Sequence, residues 1–274
     1  MKYITLNNGV KIPQLGFGLW QVPDEVTDQA VLKAFDVGYR LIDTATVYEN
    51  EAGVGRAIQA SDLPREELFI TTKVWNSDHG YEETLAAYDR SLELLGLDYV
   101  DLYLIHWPVP KYDQFVESYK ALEKLYEEGR VRAIGVCNFH IEHLERLLQE
   151  CDVVPVVNQV ERHPYFQQEE LKEFCEKNKI YLQSWSPLMT GGAVLEDELL
   201  KELAEKYGKT PAQIGLRWQI DSGAIVIPKS VTPSRIEENF NLFDFELTKE
   251  DMEQIEGINQ NKRKGPNPND MNDK

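Results

Sequence analysis

Short runs of apolar and β-branched residues alternate with longer amphipathic stretches along most of the chain. Buried parallel strands read as such near-continuous apolar runs, so each run predicts a strand. A doubly wound open sheet would show the same alternation, but eight units about 30 residues apart favour closure into a (β/α)8 barrel of the TIM type. The predicted strands are Leu15–Trp20, Arg40–Ala45, Leu68–Val74, Val100–Trp107, Arg132–Asn138, Val156–Glu161, Ile180–Pro187 and Ile225–Ser230.

The stretches between the predicted strands repeat apolar residues at helical spacing. Tyr81–Gly96 and Phe115–Tyr126 each keep their large apolar residues on one face, and Gly129 is a predicted helix stop. The segment before the last strand is longer. It predicts two helices, Asp197–Tyr207 and Pro211–Asp221, the second opening on a proline after a threonine cap.

The two ends of the chain differ from this repeating pattern. Tyr3–Leu6 and Val10–Ile12 flank Asn7-Asn8-Gly9, whose Asn-Gly pair predicts a tight β-hairpin. Residues 261–274 are polar, contain glycine and prolines, and show no apolar periodicity, so we expect an irregular tail. Because no linker interrupts the pattern, residues 1–274 are predicted to form one domain.

The composition narrows the classes of partner. Against 47 Asp and Glu there are 29 Lys and Arg, a net charge of −18, which disfavours broad nucleic-acid or anionic-membrane surfaces. No stretch approaches the roughly 20 apolar residues that cross a bilayer, and the first residues lack the apolar run of a signal peptide. Cys137, Cys151 and Cys175 are too few and too scattered for a disulfide framework. We therefore expect a cytoplasmic monomer with reduced thiols and no nucleic-acid or membrane partner.

Four polar residues stand where a barrel of this kind places its chemistry, at the C-terminal ends of strands. Asp43 ends the second predicted strand, Lys73 lies on the third and His106 on the fourth, and Tyr48 follows Asp43 closely. A buried lysine beside a carboxylate and a phenol is able to push the tyrosine pKa from about 10 towards neutrality. Tyr48 would then donate a proton at working pH.

The segments around these residues resemble the aldo-keto reductase family. The resemblance spans almost the whole chain, and because the chain is short with compact loops it is similar to the bacterial 2,5-diketogluconate reductase and glyoxal reductase branch. It implies that Tyr48 is the general acid, that Lys73 lowers its pKa, that Asp43 holds Lys73, and that His106 orients the substrate carbonyl. The motifs are LIDTATVYENEAGVGRAI (Leu41–Ile58), TTKVW (Thr71–Trp75), DLYLIHWP (Asp101–Pro108), IGVCNF (Ile134–Phe139) and IPKSVTPSRIEEN (Ile227–Asn239).

Hydride chemistry requires a nicotinamide cofactor, because no side chain donates hydride. The chain lacks a GxGxxG motif, since Gln21 stands where the third glycine would follow Gly16 and Gly18. A barrel instead holds phosphates near its last loops. Lys229 and Arg235, beside a helix start there, suit the extra phosphate of NADP(H).

The resemblance assigns further contacts to the cofactor. It implies that Trp185 stacks on the nicotinamide ring. Cys137 stands where the family commonly has serine, and a thiol is a weaker hydrogen-bonding group, which puts anchoring by this position in doubt. The implied cofactor residues are Asp43 on the second strand, Asn138 and Gln159 at the carboxamide, Trp185, Ser186 and Leu188 on or directly after the seventh predicted strand, and Lys229, Ser230, Val231, Thr232, Arg235, Glu238 and Asn239 at the adenosine end.

Tryptophans gather near the same strand ends. Trp20, Trp75 and Trp107, with Phe139, are predicted to line an aromatic mouth beside His106. The predicted function is the NADPH-dependent reduction of aldehydes, α-dicarbonyls or keto-sugars to alcohols.

Other functions use subsets of these residues. A Schiff-base aldolase would use Lys73 but leaves Lys229 and Arg235 without a joint purpose. A glycosidase would need two rim carboxylates, and Asp43 with Glu161 is the available pair. A cofactor-sensing binding module on the same fold would not need a complete set of four polar residues. His140 and His143 have helical spacing for a metal, but no third ligand is apparent, so no metal is expected.

Overall fold

The structure, a computed structural model, describes residues 2–273. Its main sheet contains eight parallel strands in chain order, and a two-stranded antiparallel sheet precedes them. The antiparallel pair is β1 (Tyr3–Thr5) and β2 (Lys11–Pro13). The parallel strands are β3 (Gly16–Gly18), β4 (Leu41–Asp43), β5 (Phe69–Val74), β6 (Val100–Ile105), β7 (Val131–Cys137), β8 (Val157–Glu161), β9 (Tyr181–Trp185) and β10 (Ile225–Val226).

The sheet closes on itself as a barrel. A parallel bridge joins Leu15 to Val226, and the Gly18 N–H donates to the Pro228 carbonyl at 3.0 Å. The predicted (β/α)8 barrel is therefore confirmed. The first and eighth strands are shorter than predicted: β3 ends at Gly18, and β10 ends at Val226, so Lys229 and Ser230 lie in the loop after the strand.

Helices cover the outside of the barrel. Both helices predicted before the last strand are present, and their caps explain where they begin: Asp197 accepts from the backbone N–H groups of Leu199 and Leu200, and Thr210 accepts from that of Gln213. The helices are α1 (Asp24–Val37), α2 (Glu51–Ala60), α3 (Tyr81–Leu95), α4 (Phe115–Glu127), α5 (Ile141–Glu150), α6 (Glu169–Lys177), α7 (Glu198–Tyr207), α8 (Pro211–Asp221), α9 (Pro233–Phe240) and α10 (Lys249–Glu256).

The predicted hairpin closes the N-terminal end of the barrel. Its loop is Asn7-Asn8-Gly9, with Gly9 in the left-handed region at φ 86°. Leu6 and Ile12 pack with the inward apolar residues of the strands, and the Asn7 amide donates to the carbonyls of Pro155 and Lys179. The hairpin thus packs against the N-terminal end of the barrel, and the predicted site residues lie at the opposite, C-terminal end.

The tail lies across that open end. Residues 261–273 contain neither helix nor strand, as predicted, yet they are held by several hydrogen bonds. Asn267 Oδ1 lies 3.1 Å from His140 Nε2, the Lys111 N–H donates to Asn272 Oδ1 at 3.2 Å, and Asn76 Nδ2 donates to the Asp273 carbonyl at 2.7 Å.

Candidate active site

One inward-facing row of side chains on the barrel strands builds the site. Successive strand residues point to opposite faces, so residues two apart share a face. On β5, Phe69 packs with the apolar residues inside the barrel and Ile70 with the outer core, which places Lys73 inside. The same alternation runs through the other strands. It brings Asp43, Lys73, His106, Cys137, Gln159, Glu161, Gln183 and Trp185 to the inner wall near its open end.

Lys73 is the centre of the predicted catalytic group. Its ammonium nitrogen lies 2.5 Å from Asp43 Oδ1, 2.9 Å from the Thr44 carbonyl oxygen and 3.5 Å from the Tyr48 hydroxyl. Tyr48 reaches this position from a 3-10 turn, Thr46–Tyr48, that follows β4 directly. The structure thus joins three of the four predicted catalytic residues by hydrogen bonds.

The charges of this group are set by burial and by one another. Burial alone would lower the pKa of Lys73, but the neighbouring Asp43 carboxylate reverses this, and the net direction is upward. Lys73 is therefore a protonated ammonium. A Schiff-base aldolase needs a neutral amine, so this environment disfavours that alternative.

The predicted lowering of the Tyr48 pKa is wrong for this site. Burial raises the pKa of the phenol; Lys73 acts in the opposite direction, as predicted, but does not outweigh burial, and Asp43 raises the pKa further. Lys73 lies a full ångström closer to Asp43 than to Tyr48, so much of its charge is neutralised. The phenol consequently stays protonated at neutral pH, which is the form that a proton donor needs.

His106 completes the group from β6. Its ring centroid lies 5.6 Å from that of Tyr48 and 5.2 Å from that of Trp75, and it stacks on Trp107 at 6.5 Å. Burial, with Lys73 nearby, holds the pKa of His106 well below its ordinary value. The imidazole is therefore neutral and is able to donate one hydrogen bond.

The predicted aromatic mouth is partly as expected. Trp75 and Trp107 flank His106, and Trp20 is 51% exposed, on the loop after β3. Phe139 is misplaced in the prediction: it is buried in the outer core, 5.3 Å from the ring of Phe115. Phe139 shares the inward parity of Cys137, but β7 ends at Cys137 and Asn138 adopts a left-handed φ of 64°, so the alternation does not continue to Phe139.

The network continues towards the predicted carboxamide site. Gln159 Nε2 donates to Asp43 Oδ2 at 2.7 Å, and the Trp185 indole N–H donates to Asn138 Oδ1 at 2.8 Å. Asn138 Nδ2 in turn donates to the His106 carbonyl at 3.0 Å. The Cys137 thiol lies 3.6 Å from Gln159 Oε1, and burial raises its pKa, so it remains a thiol.

Sequence reasoning missed Gln183. Its Oε1 accepts from Gln159 Nε2 at 3.1 Å, whereas its Nε2 and the hydroxyl of Ser186 have no hydrogen-bond partner within residues 2–273. A polar residue at inward parity on a buried strand is the signal that would have found it. Buried polar groups are rarely left unpaired, so this donor set fits a polar ligand such as the nicotinamide end of the cofactor.

The predicted phosphate site lies in the loop after β10 and at the start of α9. Lys229 and Arg235 are exposed, and neither forms an ion pair within residues 2–273. The Ser230 hydroxyl accepts from the Thr232 N–H at 3.1 Å, while Val231 is exposed. Two free cations beside hydroxyl groups fit a phosphomonoester.

The remaining adenosine-end residues lie on α9. Asn239 is buried, and the Glu238 carboxylate accepts from the Thr210 hydroxyl at 2.8 Å, which ties α9 to the start of α8. Leu188, partly exposed, follows β9.

Two alternative sites are occupied by structural interactions. Glu161, the second glycosidase candidate, accepts from His163 and from two backbone N–H groups of the tail. His143 Nδ1 accepts from the backbone N–H of His140, which stabilises the start of α5. No group of three metal-ligating side chains occurs in the described part of the chain.

Comparison with known proteins identifies the family of this chain. A profile of the Aldo/keto reductase family matches residues 14–260. The 9,11-endoperoxide prostaglandin H2 reductase of Trypanosoma cruzi is 54% identical over 98% of this chain and 95% of its own. The methylglyoxal reductase DkgA of Escherichia coli K12 is 52% identical over 97% of this chain and 96% of its own.

Solved structures agree as well. A mutant of Gox0644, crystallised in complex with NADPH, superposes with a TM-score of 0.94 at 47% identity and covers 98% of each chain. The predicted branch, barrel fold and cofactor are thereby confirmed. The chain belongs to the aldo-keto reductase family, the NADP(H)-dependent oxidoreductases that act on carbonyl groups.

Proposed function

We propose that Tyr48 protonates the carbonyl oxygen of a small α-dicarbonyl substrate while NADPH reduces the carbonyl carbon. The observation that carries this proposal is the hydrogen-bonded group of Asp43, Lys73 and Tyr48 beside a neutral His106. When bound, the reduced nicotinamide supplies the hydride, a chemistry that side chains lack. The protein's part is to place the substrate and to deliver the proton.

The four residues divide this work. Tyr48 is protonated at neutral pH and loses its proton to the developing alkoxide, and the Lys73 ammonium stabilises the phenolate that remains. Asp43 accepts hydrogen bonds from both Lys73 and Gln159, and these bonds fix the position of the Lys73 ammonium. His106 donates a hydrogen bond that orients the carbonyl.

The cofactor residues have two roles. The carboxamide of the nicotinamide would be held by Gln159, Asn138, Gln183 and Ser186, and Trp185 would stack on the nicotinamide ring. Lys229, Ser230, Thr232 and Arg235 would hold the 2′-phosphate of the adenosine end by charge-assisted hydrogen bonds.

A compact dicarbonyl is a suitable substrate for a site with an aromatic entrance beside His106. Trp75 packs edge-on against His106 and Trp107 stacks on it, and aromatic rings this close to His106 favour a small or flat carbonyl compound. The similarity to a protein named methylglyoxal reductase supports the same choice. Aldehydes and keto-sugars are the alternative carbonyl substrates, and the name of the Trypanosoma cruzi relative adds an endoperoxide.

The test compares kcat/KM for methylglyoxal, glyoxal, a simple aldehyde, a keto-sugar and an organic endoperoxide with NADPH. We expect the dicarbonyls to exceed the keto-sugar by about 10-fold or more, a difference of about 1.4 kcal/mol in transition-state binding. A keto-sugar or endoperoxide in first place would contradict the proposed substrate class.

We also propose a cytoplasmic monomer with a single domain. None of the helices in the described residues combines the length and apolar composition needed to span a bilayer. The large exposed apolar residues belong to separate elements, for example Tyr3 to the hairpin and Leu94 to α3. Light scattering that gives twice the mass of the chain would contradict the monomer.

A further inference from the structure

Glu161 is a buried carboxylate for which the reduction has no use. It ends β8 and is 0% exposed. Its Oε1 accepts from the Lys264 N–H at 2.7 Å and lies 3.0 Å from His163 Nε2, and its Oε2 accepts from the Gly265 N–H at 2.7 Å. Both oxygens are therefore engaged, and two of their donors belong to the tail.

These bonds press the tail against Trp185. A Cβ on Gly265 would lie 2.6 Å from Trp185 Cη2, closer than real Cβ atoms approach, so only glycine fits here without a shift. Glu161 and Trp185 are paired across β8 and β9. The tail thus crosses the indole at its six-membered ring while the indole N–H is bonded to Asn138.

The neighbouring tail residues hold the same segment in place. The Lys264 ammonium donates to the Met189 carbonyl at 3.3 Å and to the Thr190 hydroxyl, in the loop after β9. The Arg263 guanidinium lies 4.6 Å from the centroid of the Phe166 ring. The Lys262 N–H donates to the Tyr165 carbonyl at 3.0 Å, and Glu161 binds the next two backbone positions that donate to a side chain, Lys264 and Gly265.

We propose that Glu161 is a positioning residue: it pins Gly265 of the tail against Trp185 and thereby holds the indole in the orientation that stacks on the nicotinamide. The proposal rests on the assignment of Trp185 to the nicotinamide under the proposed function. Within residues 2–273 the Glu161 side chain is hydrogen-bonded to His163, Lys264 and Gly265 and not to the predicted catalytic group or phosphate site, so we expect its effect to pass through the tail and the indole.

Glu161→Gln tests the pin with almost no change in shape. A carboxylate offers two accepting oxygens, whereas an amide offers one oxygen and an NH2 group that faces a backbone N–H as a second donor. At least one of the two tail bonds is therefore lost. Because the substitution keeps the size and shape of the side chain, the barrel itself should stay folded, which a thermal melt verifies. The ammonium contacts of Lys264 with the loop after β9 also remain.

Limited digestion with trypsin measures how often the tail detaches and requires no cofactor. Lys262, Arg263 and Lys264 are three consecutive cleavage sites at the pin. We expect release of the terminal fragment to be about 10-fold faster in Glu161→Gln, because cleavage follows the population of the opened segment. Glu142→Gln is the matched control, since Glu142 also bonds the tail, at Asn269, but away from Trp185. Equal rates of tryptic cleavage in the wild type and in Glu161→Gln would contradict the proposal that Glu161 holds the tail in place.

A double-mutant cycle with Trp185→Leu, which removes the aromatic ring, tests the step from tail to indole. Glu161→Gln should weaken NADPH binding, measured by titration, about 10-fold in the wild type but less than about 2-fold in Trp185→Leu. An equal loss in both backgrounds would show that Glu161 does not act through Trp185. If Trp185→Leu alone leaves NADPH affinity unchanged, the stacking assignment itself fails, even where trypsin still shows the tail released.

Gly265→Ala provides an independent variant with Glu161 intact. The added methyl group must displace either the tail or the indole, so we expect faster tryptic release and weaker NADPH binding, each about 10-fold. The Glu142→Gln control should keep the NADPH affinity of the wild type. Unchanged NADPH affinity in Gly265→Ala would overturn the proposal.

Discussion

The two ends of the proposed cofactor site differ in how firmly the protein fixes their side chains before a cofactor binds. The residues of the nicotinamide end are buried or half-buried. Hydrogen bonds of 2.5–2.8 Å join Lys73 to Asp43, Gln159 to Asp43, and Trp185 to Asn138. At the adenosine end, Lys229 and Arg235 are exposed, and neither forms an ion pair within the described residues.

This difference indicates what each end contributes. Groups fixed before the substrate binds stabilise a transition state without reorganising, so changes at the nicotinamide end should act on kcat. Exposed cations gain their partner only when the phosphate arrives, so changes at the adenosine end should act on cofactor affinity. The variants below test this division.

Tyr48→Phe should have the largest effect. It removes one hydroxyl oxygen, the proposed proton donor, and should lower kcat by about 100- to 10,000-fold while NADPH affinity stays near normal. Tyr103→Phe is the matched control, because Tyr103 faces outward on β6 and its hydroxyl has no hydrogen-bond partner within residues 2–273. The measurement is kcat from steady-state NADPH oxidation. A kcat near that of the wild type in Tyr48→Phe would contradict the role of Tyr48 as proton donor.

Lys73→Met should act on the same proton by another route. The raised pKa of Tyr48 predicts that kcat/KM is level through neutral pH and falls as pH rises through that pKa. Without the lysine charge the pKa rises further, so this alkaline limb should move to higher pH, and kcat should fall about 100-fold. An alkaline limb that stays in place would show that Lys73 does not tune Tyr48.

Lys73→Met also leaves the Asp43 carboxylate buried without its partner, a cost of about 3–5 kcal/mol in the free energy of unfolding. The double variant with Asp43→Asn should recover most of the melting temperature. It should not recover kcat, because the Lys73 charge is still missing. Recovery of both would mean that Lys73 serves only to neutralise Asp43.

His106→Ala should separate orientation from proton transfer. The pKa of His106 is lowered, so the imidazole is neutral above that pKa, and activity should decline as pH falls through it. His106→Ala should abolish this acidic limb, lower kcat/KM for the substrate, and leave the alkaline limb in place. A shift of the alkaline limb in this variant would give His106 the role assigned to Lys73.

The two ends also differ in what sequence reasoning was able to predict. The strand pattern and its parity placed Lys73 on the inner wall, because period 2 leaves no other choice on a buried strand. The net pKa of Tyr48 was mispredicted, because burial of the phenol outweighs the charge of Lys73, and the sequence pattern indicates neither that burial nor how close Lys73 lies to Asp43. The tail shows no periodicity: it is held by hydrogen bonds from its backbone N–H groups to Glu161, and backbone groups leave no pattern of side chains in the sequence.

Arg235→Ala should weaken NADPH binding by about 1.5–3 kcal/mol, which is about 10- to 150-fold in Kd, the scale of a charge-assisted hydrogen bond. NADH lacks the 2′-phosphate and should lose far less, and kcat at saturating NADPH should be nearly unchanged. Arg56→Ala is the control, because Arg56 is also an exposed arginine but pairs with Asp24 on α1. Equal losses for NADPH and NADH would show that Arg235 does not read the phosphate.

Cys137→Ser should give the smallest change and the opposite sign. The Cys137 thiol lies 3.6 Å from Gln159 Oε1 and accepts from Asn138 Nδ2 at 3.1 Å, so it touches both residues proposed to hold the carboxamide. A hydroxyl is the stronger donor and acceptor, and a neutral hydrogen bond contributes about 0.5–1.5 kcal/mol. NADPH should therefore bind about 2- to 10-fold more tightly in Cys137→Ser. Cys175→Ser changes the same atom at a buried outer-core position and should lower the melting temperature without altering NADPH affinity. If Cys137→Ser instead matches the wild type, the thiol lies outside the carboxamide network, and Asn138 and Gln159 hold that end alone.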